Sequence, residues 1–279
     1  MQKTNKRNRK KATANNKQRE EFWLEPPKPK SGEKEPVRLN KYIASAGICS
    51  RREADKLIEE GKVKVNGKVA TELGVKVTAK DNVVVNGEEI QPEEFVYILL
   101  NKPKNTISTT NDEKDRKTVL DVIEDATGKR VYPVGRLDRN TTGLLLLTND
   151  GELAHRLMHP SYKIRKVYQV ETNIILSDEQ LGLLRKGVML DDGAARAYKV
   201  DRHKVLANVI FMSVIDGRNH QVRRMIQAVD AEVISLKRTI YAGLTTDDLR
   251  QGRWRYLTRK EIHELRQLVK LLDKKSLRL

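Results

Sequence analysis

Asp138 stands in the segment Gly135-Arg136-Leu137-Asp138-Arg139-Asn140-Thr141-Thr142-Gly143, lodged between two apolar runs. Arginines on either side favour the ionised carboxylate, because nearby positive charge stabilises the anion. An ionised Asp in a loop bounded by glycines can serve as nucleophile, general base, metal ligand or simple loop cap. Residue types alone leave all four open. His155 and His159 lie four apart, a spacing that can set two imidazoles on one metal. No Glu completes an HExxH pattern, and His159-Pro160 reads as a helix end. Asp191-Asp192-Gly193 and Thr246-Asp247-Asp248 look like paired-carboxylate sites but read better as turns. The expectation is therefore no metal.

The balance of charge narrows the partner. The chain has 279 residues, with 55 Lys+Arg against 38 Asp+Glu and a formal net charge of +17. Such an excess suits a polyanion, and nucleic acid first, because cations displace the ions condensed on phosphates. No GxGxxG follows a strand and no GxxxxGK[ST] occurs, so no nucleotide cofactor is expected. Apolar runs such as Leu144–Leu147 fall far short of the ~20 residues that span a bilayer, so no membrane is expected. The basic, Asn-rich start lacks the apolar stretch of a secretory signal. Cys49 is the only cysteine, which excludes an internal disulfide and fits a reducing, cytoplasmic compartment.

Three stretches differ in texture. Residues 1–36 carry eight basic residues before the first acid, Glu20, and then Pro26-Pro27-Lys28-Pro29; they read as a disordered basic arm, with Trp23 beside Phe22 the exception. An RNA-contacting tail and a solubilising extension are both consistent with it. In residues 37–92, Leu39, Tyr42, Ile43 and Ala46 fall at helical spacing, and Ser50-Arg51-Arg52-Glu53 forms a capping box before Ala54, Leu57 and Ile58. Lys62-Val63-Lys64-Val65-Asn66-Gly67-Lys68-Val69 alternates around an Asn-Gly turn, a two-residue hairpin whose lysines are expected on one face. Arg51 and Arg52 sit in a first helical turn, where the dipole disfavours cations. They could clamp phosphate with the hairpin lysines, or form an ordinary solvated face.

Residues 93–279 predict strands at 96–100, 131–134, 144–148, 167–172, 195–200 and 205–215. Helices are expected after Ser177, over 219–228, and after Thr258 with Ile262, Leu265, Leu268 and Leu272 on one face. Helices and strands do not alternate strictly, so the fold class is α+β: a small α/β module, then a mostly antiparallel sheet with flanking helices.

Residues 38–70, from Arg38-Leu39-Asn40-Lys41 through Ser50-Arg51-Arg52-Glu53 to Val65-Asn66-Gly67-Lys68, resemble the S4 RNA-binding module. The resemblance implies RNA contacts from Arg38, Lys41, Arg51, Arg52, Lys62, Lys64 and Lys68. The Asp138 segment, continuing through Leu144-Leu145-Leu146-Leu147-Thr148-Asn149-Asp150-Gly151, is similar to the signature loop of pseudouridine synthases of the RsuA/RluB family. Asn101-Lys102-Pro103, Lys166-Val167-Tyr168 and Gly217-Arg218-Asn219-His220-Gln221-Val222-Arg223-Arg224-Met225 occur in the family's order. Thr142 stands where many relatives have Ser, which preserves the hydroxyl.

The family resemblance implies isomerisation of a uridine in ribosomal RNA, with 23S favoured over 16S, without cofactor, on rRNA or a large-subunit assembly intermediate; a monomer is the default expectation for a protein that docks onto a large RNA. It makes Asp138 the essential carboxylate, either nucleophile on the sugar or base toward its 2′ proton. Arg223 would pair with Asp138, and Tyr168 would stack on the uracil and take the C5 proton. Val222 would touch the base, and Arg136 would fill the gap left by the flipped nucleotide. Lys102, His220 and Arg224 would contact RNA. Two rivals stand beside this reading. A non-catalytic S4-type RNA-binding or ribosome-assembly protein would not need Asp138. An S4-bearing methyltransferase would need a glycine-rich loop after a strand, which the sequence lacks.

Overall fold

A computed structural model describes residues 35–271. The basic arm up to residue 34, with Phe22 and Trp23, and Leu272 of the expected apolar helix face lie outside them. Two compact units divide the chain: residues up to Val96 with Thr127–Val131 and Asn149–Gly151, and Tyr97–Ala126, Tyr132–Thr148 and the residues from Glu152 on.

The first unit opens with β1 (Val37–Arg38), α1 (Leu39–Ser45) and α2 (Arg51–Glu59). Ser50 caps α2: its hydroxyl accepts from the Glu53 N–H, and the Glu53 carboxylate accepts from the Ser50 N–H. Then come β2 (Val63–Val65), β3 (Lys68–Val69), β4 (Lys76–Val77), β5 (Val83–Val85) and β6 (Glu88–Glu89). They form a four-stranded sheet, β3-β2-β5-β6, and a β1–β4 pair. Both hairpins turn on Asn-Gly, and Asn66 and Asn86 adopt the positive φ that a two-residue turn demands, +50° and +51°. Leu39, Ile43, Ala54, Ile58 and Val63 close the core.

The second unit is built on a nine-stranded sheet. Its strands are β7 (Tyr97–Lys102), β8 (Tyr132–Pro133), β9 (Thr142–Thr148), β10 (Lys166–Thr172), β13 (Lys199–Arg202), β14 (Val209–Val214), β15 (Val233–Tyr241), β16 (Leu244–Thr245) and β17 (Trp254–Tyr256). A separate hairpin pairs β11 (Val188–Leu190) with β12 (Gly193–Ala195). The helices are α3 (Val119–Val122), α4 (Gly151–Met158), α5 (Asp178–Lys186), α6 (Gln221–Gln227) and α7 (Arg259–Leu268). The main path runs β13-β14-β10-β15-β9-β7-β17. Among the described strands every pairing is antiparallel except β9–β15, where Thr142 and Gly143 meet Lys237 and Arg238. Leu144–Leu147 on β9 are wholly buried, as a central strand covered on both faces requires.

Three sequence expectations change. The strand predicted at 195–200 divides into β12 and β13, with Arg196–Tyr198 between them. The run at 205–215 begins at Val209, because Lys204–Asn208 form the turn before it. The nine-residue β15 was not predicted at all: Lys237-Arg238-Thr239 interrupts its apolar alternation, and its partners β9 and β10 lie far away in sequence.

Candidate active site

The Asp138 loop joins β8 to β9 and is pinned from below. Leu137 is buried, and its N–H donates to the Ser108 hydroxyl (3.2 Å) while that hydroxyl donates to the Leu137 carbonyl (2.9 Å). Lys102, at the end of β7, is fully buried; its ammonium donates to the carbonyls of Pro103 (3.1 Å), Arg139 (3.2 Å) and Thr141 (2.9 Å). Burial pushes its pKa down to about 8; Asp138 opposes that shift, and Arg238 adds to it. The Asp138 carboxylate tops this platform. Its Oδ2 accepts from the Thr141 hydroxyl at 3.4 Å, and its Oδ1 lies 3.5 Å from His220 Nε2.

Beside it opens a cavity of about 800 Å³, within the usual ~300–1,000 Å³ range of ligand pockets. Asp138, Arg136, Tyr168, His220, Val222 and Arg223 all line it. Tyr168 stands on β10 in register with Arg238 of β15, and among the described residues its hydroxyl bonds to no protein group. Val222, Val214 and Leu236 add apolar wall. Arg136 is exposed at the rim. His220, at φ +48°, precedes α6 and turns the chain into it. A carboxylate, an unengaged phenol, apolar surface and several cations thus converge on one cavity.

Four expectations need correction. Arg223 does not pair with Asp138: its guanidinium donates to the Val233 carbonyl at 3.4 Å, and His220 and Thr141 attend the carboxylate instead. Lys102 cannot touch RNA, because it is wholly buried and committed to backbone carbonyls. Arg224, one step round the helix from Arg223, does not line the cavity; it forms an ion pair with Asp192 at 2.8 Å, and Arg218 reaches the same carboxylate at 2.9 Å. Those two arginines hold the turn of the β11–β12 hairpin, and with it the beginning of α6. The hairpin lysines of the first unit do not share a face. A two-residue turn pairs Val65 with Lys68 and Lys64 with Val69, so Lys68 projects with Val65 and away from Lys64.

The other basic residues of the first unit lie at its surface. Arg38, Arg51, Arg52, Lys62, Lys64 and Lys68 are exposed and Lys41 is half-buried. Lys62 is paired with Glu60 at 2.7 Å. Arg51 approaches Asn40, which is itself buried and bonded to Asp55. His155 and His159 sit with ring centroids 5.4 Å apart, but no group of three metal-binding side chains occurs among the described residues. His159 instead caps the turn at Pro160, accepting from the Ser161 N–H.

Sequence reasoning missed part of the wall. Lys166 lines the cavity, donates to the Ile215 carbonyl at 2.6 Å, and has its pKa lowered to about 8 by burial first and by Arg238 second. Tyr241 is buried, its hydroxyl donates to the Leu157 carbonyl, and burial raises its pKa to about 12. Arg238, 2% exposed, also lines the cavity. A basic residue two positions after a buried Leu236 in a strand was the available signal.

Residues 96–228 match the RNA pseudouridylate synthase family, and residues 37–83 match the S4 domain. The ribosomal large subunit pseudouridine synthase B of Bacillus subtilis (strain 168) is 49% identical over 237 residues, covering 83% of this chain and 96% of the relative. The dual-specificity RNA pseudouridine synthase RluF of Shigella flexneri is 39% identical over 236 residues, covering 84% and 79%. A crystal structure of a pseudouridylate synthase superposes with a TM-score of 0.59 at 28% identity, covering 82% of this chain and 99% of that one. No helix among the described residues is long and apolar enough to cross a membrane.

Proposed function

The chain belongs to the RNA pseudouridylate synthase family and carries an S4 domain, and from that premise we propose that its substrate is a uridine of large-subunit ribosomal RNA, 23S rRNA. It is an RNA pseudouridine synthase, an isomerase. The large-subunit assignment draws its support from the 49% identity to the Bacillus subtilis relative. In this reading residues 37–92 grip RNA, residues 93–279 carry out the chemistry, and the protein works as a monomer in the cytoplasm on rRNA or an assembly intermediate.

The observation that carries the catalytic reading is the convergence of Asp138, Tyr168 and Val222 on one cavity beside an exposed arginine, Arg136. A base must leave its stack to reach such a site, at a cost of a few kcal/mol, and Arg136 fills the space it vacates. Asp138 removes the ribose 2′ proton while the N1–C1′ bond breaks, leaving a glycal-like sugar and a free base. The uracil turns, C5 joins C1′ and Asp138 returns its proton to C2′; the C5 proton then passes through the Tyr168 hydroxyl, which relays its own proton to solvent, while N1 takes up a proton from solvent. Product and substrate are isomers, so the balance requires no oxidant and no energy source. The orienting work first expected of Arg223 falls to His220 and Thr141, while Arg223 adds a cation to the cavity wall.

Tritium release from RNA labelled at uridine C5 tests the reading, since C5 must lose its hydrogen. Wild-type protein is expected to release the label, and Asp138→Asn to abolish release with RNA affinity kept within a few-fold. Ordinary turnover by Asp138→Asn refutes the catalytic assignment. Slower turnover on uridine deuterated at C2′ is expected; an unchanged rate moves Asp138 to attack at C1′. Carbodiimide-dependent primer-extension stops, with and without the gene, should place the modified site in 23S rRNA, and a stop lost from 16S instead overturns that assignment.

A further inference from the structure

Arg238 has no role in the scheme above, yet it is the most unusual cation in the second unit. It is 2% exposed and lines the cavity wall. Its Nε donates to the Leu144 carbonyl at 2.8 Å, while Nη2 is buried without any partner. No carboxylate pairs with it among the described residues. Its guanidinium carbon lies 4.8 Å from the Tyr241 ring centroid, which lends weak attraction but no counter-charge. Two further cations lie within its field, Lys102 and Lys166, each lowered to about 8 first by burial and in lesser part by Arg238. A dry, unpaired N–H on a charged group costs about 1–3 kcal/mol or more. Such a group in a native fold calls for an explanation, and this one lies beside the catalytic Tyr168, its in-register neighbour across β10 and β15.

We propose that Arg238 is the electrostatic stabiliser of the departing base: a fixed positive charge whose missing partner is the anion formed during the reaction. The inference rests on the pseudouridine-synthase reading. When the N1–C1′ bond breaks, its electron pair leaves with N1, and the negative charge spreads over N1, O2 and O4. Asp138 takes the C2′ proton and the C2′–H pair becomes the C1′=C2′ bond, so the step yields one protonated carboxyl, one glycal and one uracil anion. Donors and cations fixed in advance at the place where charge develops lower a barrier without reorganising. The geometry of uracil suits a stationary partner. Turning the ring about its N3–C6 axis brings C5 to the place of N1 and exchanges O2 with O4, so an oxygen bearing negative charge faces the same wall before and after the turn. One cation serves both the breaking and the making of the glycosidic bond.

The test varies the acidity of the leaving base. Large-subunit rRNA transcripts containing uridine or 5-fluorouridine are converted under single-turnover conditions, and loss of the N-linked nucleoside is read by nuclease digestion and chromatography. Fluorine stabilises the departing anion, so a base that needs less help should depend less on Arg238. Arg238→Met is expected to slow uridine conversion about 10²-fold and 5-fluorouridine conversion markedly less, with Arg238→Lys between wild type and Arg238→Met on uridine. Equal losses on the two transcripts, the mark of a structural defect, overturn the proposal. If Arg238→Met loses its circular-dichroism signature, Arg238→Lys supplies the same comparison of substrates. A wild-type protein that leaves uridine unchanged overturns this inference together with the reading beneath it, and is told apart by the control lane alone.

Discussion

Replacing Lys102 with Met separates what this lysine does for stability from what it does for the site. A pKa lowered from 10.5 to about 8 means that keeping the ammonium charged inside the fold costs roughly 3 kcal/mol at neutral pH. Met occupies similar volume and removes that cost. It also leaves the carbonyls of Pro103, Arg139 and Thr141 without their donor, at about 1 kcal/mol each. The opposing contributions nearly cancel, so stability should change by no more than ~1 kcal/mol, a few degrees in melting temperature for a unit of this size. Catalysis has no such compensation. Two of the freed carbonyls, of Arg139 and Thr141, lie within three residues after Asp138, and a displacement of about 1 Å in a catalytic group can lower the rate ~10²-fold. Tritium release, thermal melting and RNA filter binding on one preparation read the three quantities. The expected pattern is a large fall in kcat with melting temperature and RNA affinity nearly unchanged. Unchanged kcat in a properly folded variant would refute the claim that the buried ammonium sets the loop.

Above neutrality, stability and activity should move in opposite directions. Lys102 and Lys166 release protons near pH 8 when folded but near 10.5 when unfolded, so between those values the unfolded chain holds more protons and their contribution to stability rises with pH. Over the same window kcat should fall as the loop loses its ammonium support; a flat kcat profile through pH 8–9 contradicts this. Neutralising Arg51, Arg52 and Lys64 together should weaken RNA binding and flatten the slope of log affinity against log salt by about two to three. An unchanged slope would mean that this face does not meet phosphate. Gly143→Ala should destabilise the second unit by roughly 2–5 kcal/mol, because φ is +101° and a Cβ would collide with the Arg238 carbonyl oxygen. Chemical denaturation of this variant with wild-type stability would show that the seam can open.

Local signals were legible where one short stretch settles the structure. The capping boxes at Ser50, Ser177 and Thr258 form as the spacing predicts, because both partners lie within one helical turn. The Asn66-Gly67 hairpin likewise follows from backbone preference alone. The flanking arginines made the Asp138 loop stand out but left its role open, and only the family resemblance attached a particular chemistry to it. What failed was long-range. Lys102 reads as a surface cation, and nothing near it in sequence reveals that three carbonyls, two of them more than thirty residues on, wait to enclose it. Arg223 was assigned to Asp138 by analogy, but the choice between Asp138 and the Val233 carbonyl is made by packing. β15 was missed because a strand that carries Lys237-Arg238 looks polar until the site it lines is known.

The parallel seam between β9 and β15 sets an order of events during synthesis. Leu144 and Arg238, which it brings into hydrogen-bonding contact, are 94 residues apart in the chain. Contacts that close so long a loop form late, after nearer pairings have organised their parts. A nascent polypeptide emerging from the ribosome presents its Asp138 loop, then its tyrosine, well before the strand that completes the pocket has been translated. Fragments released before Val233 would thus hold Asp138 and Tyr168 yet lack the wall between them, so the capacity to modify RNA arrives only near the end of translation.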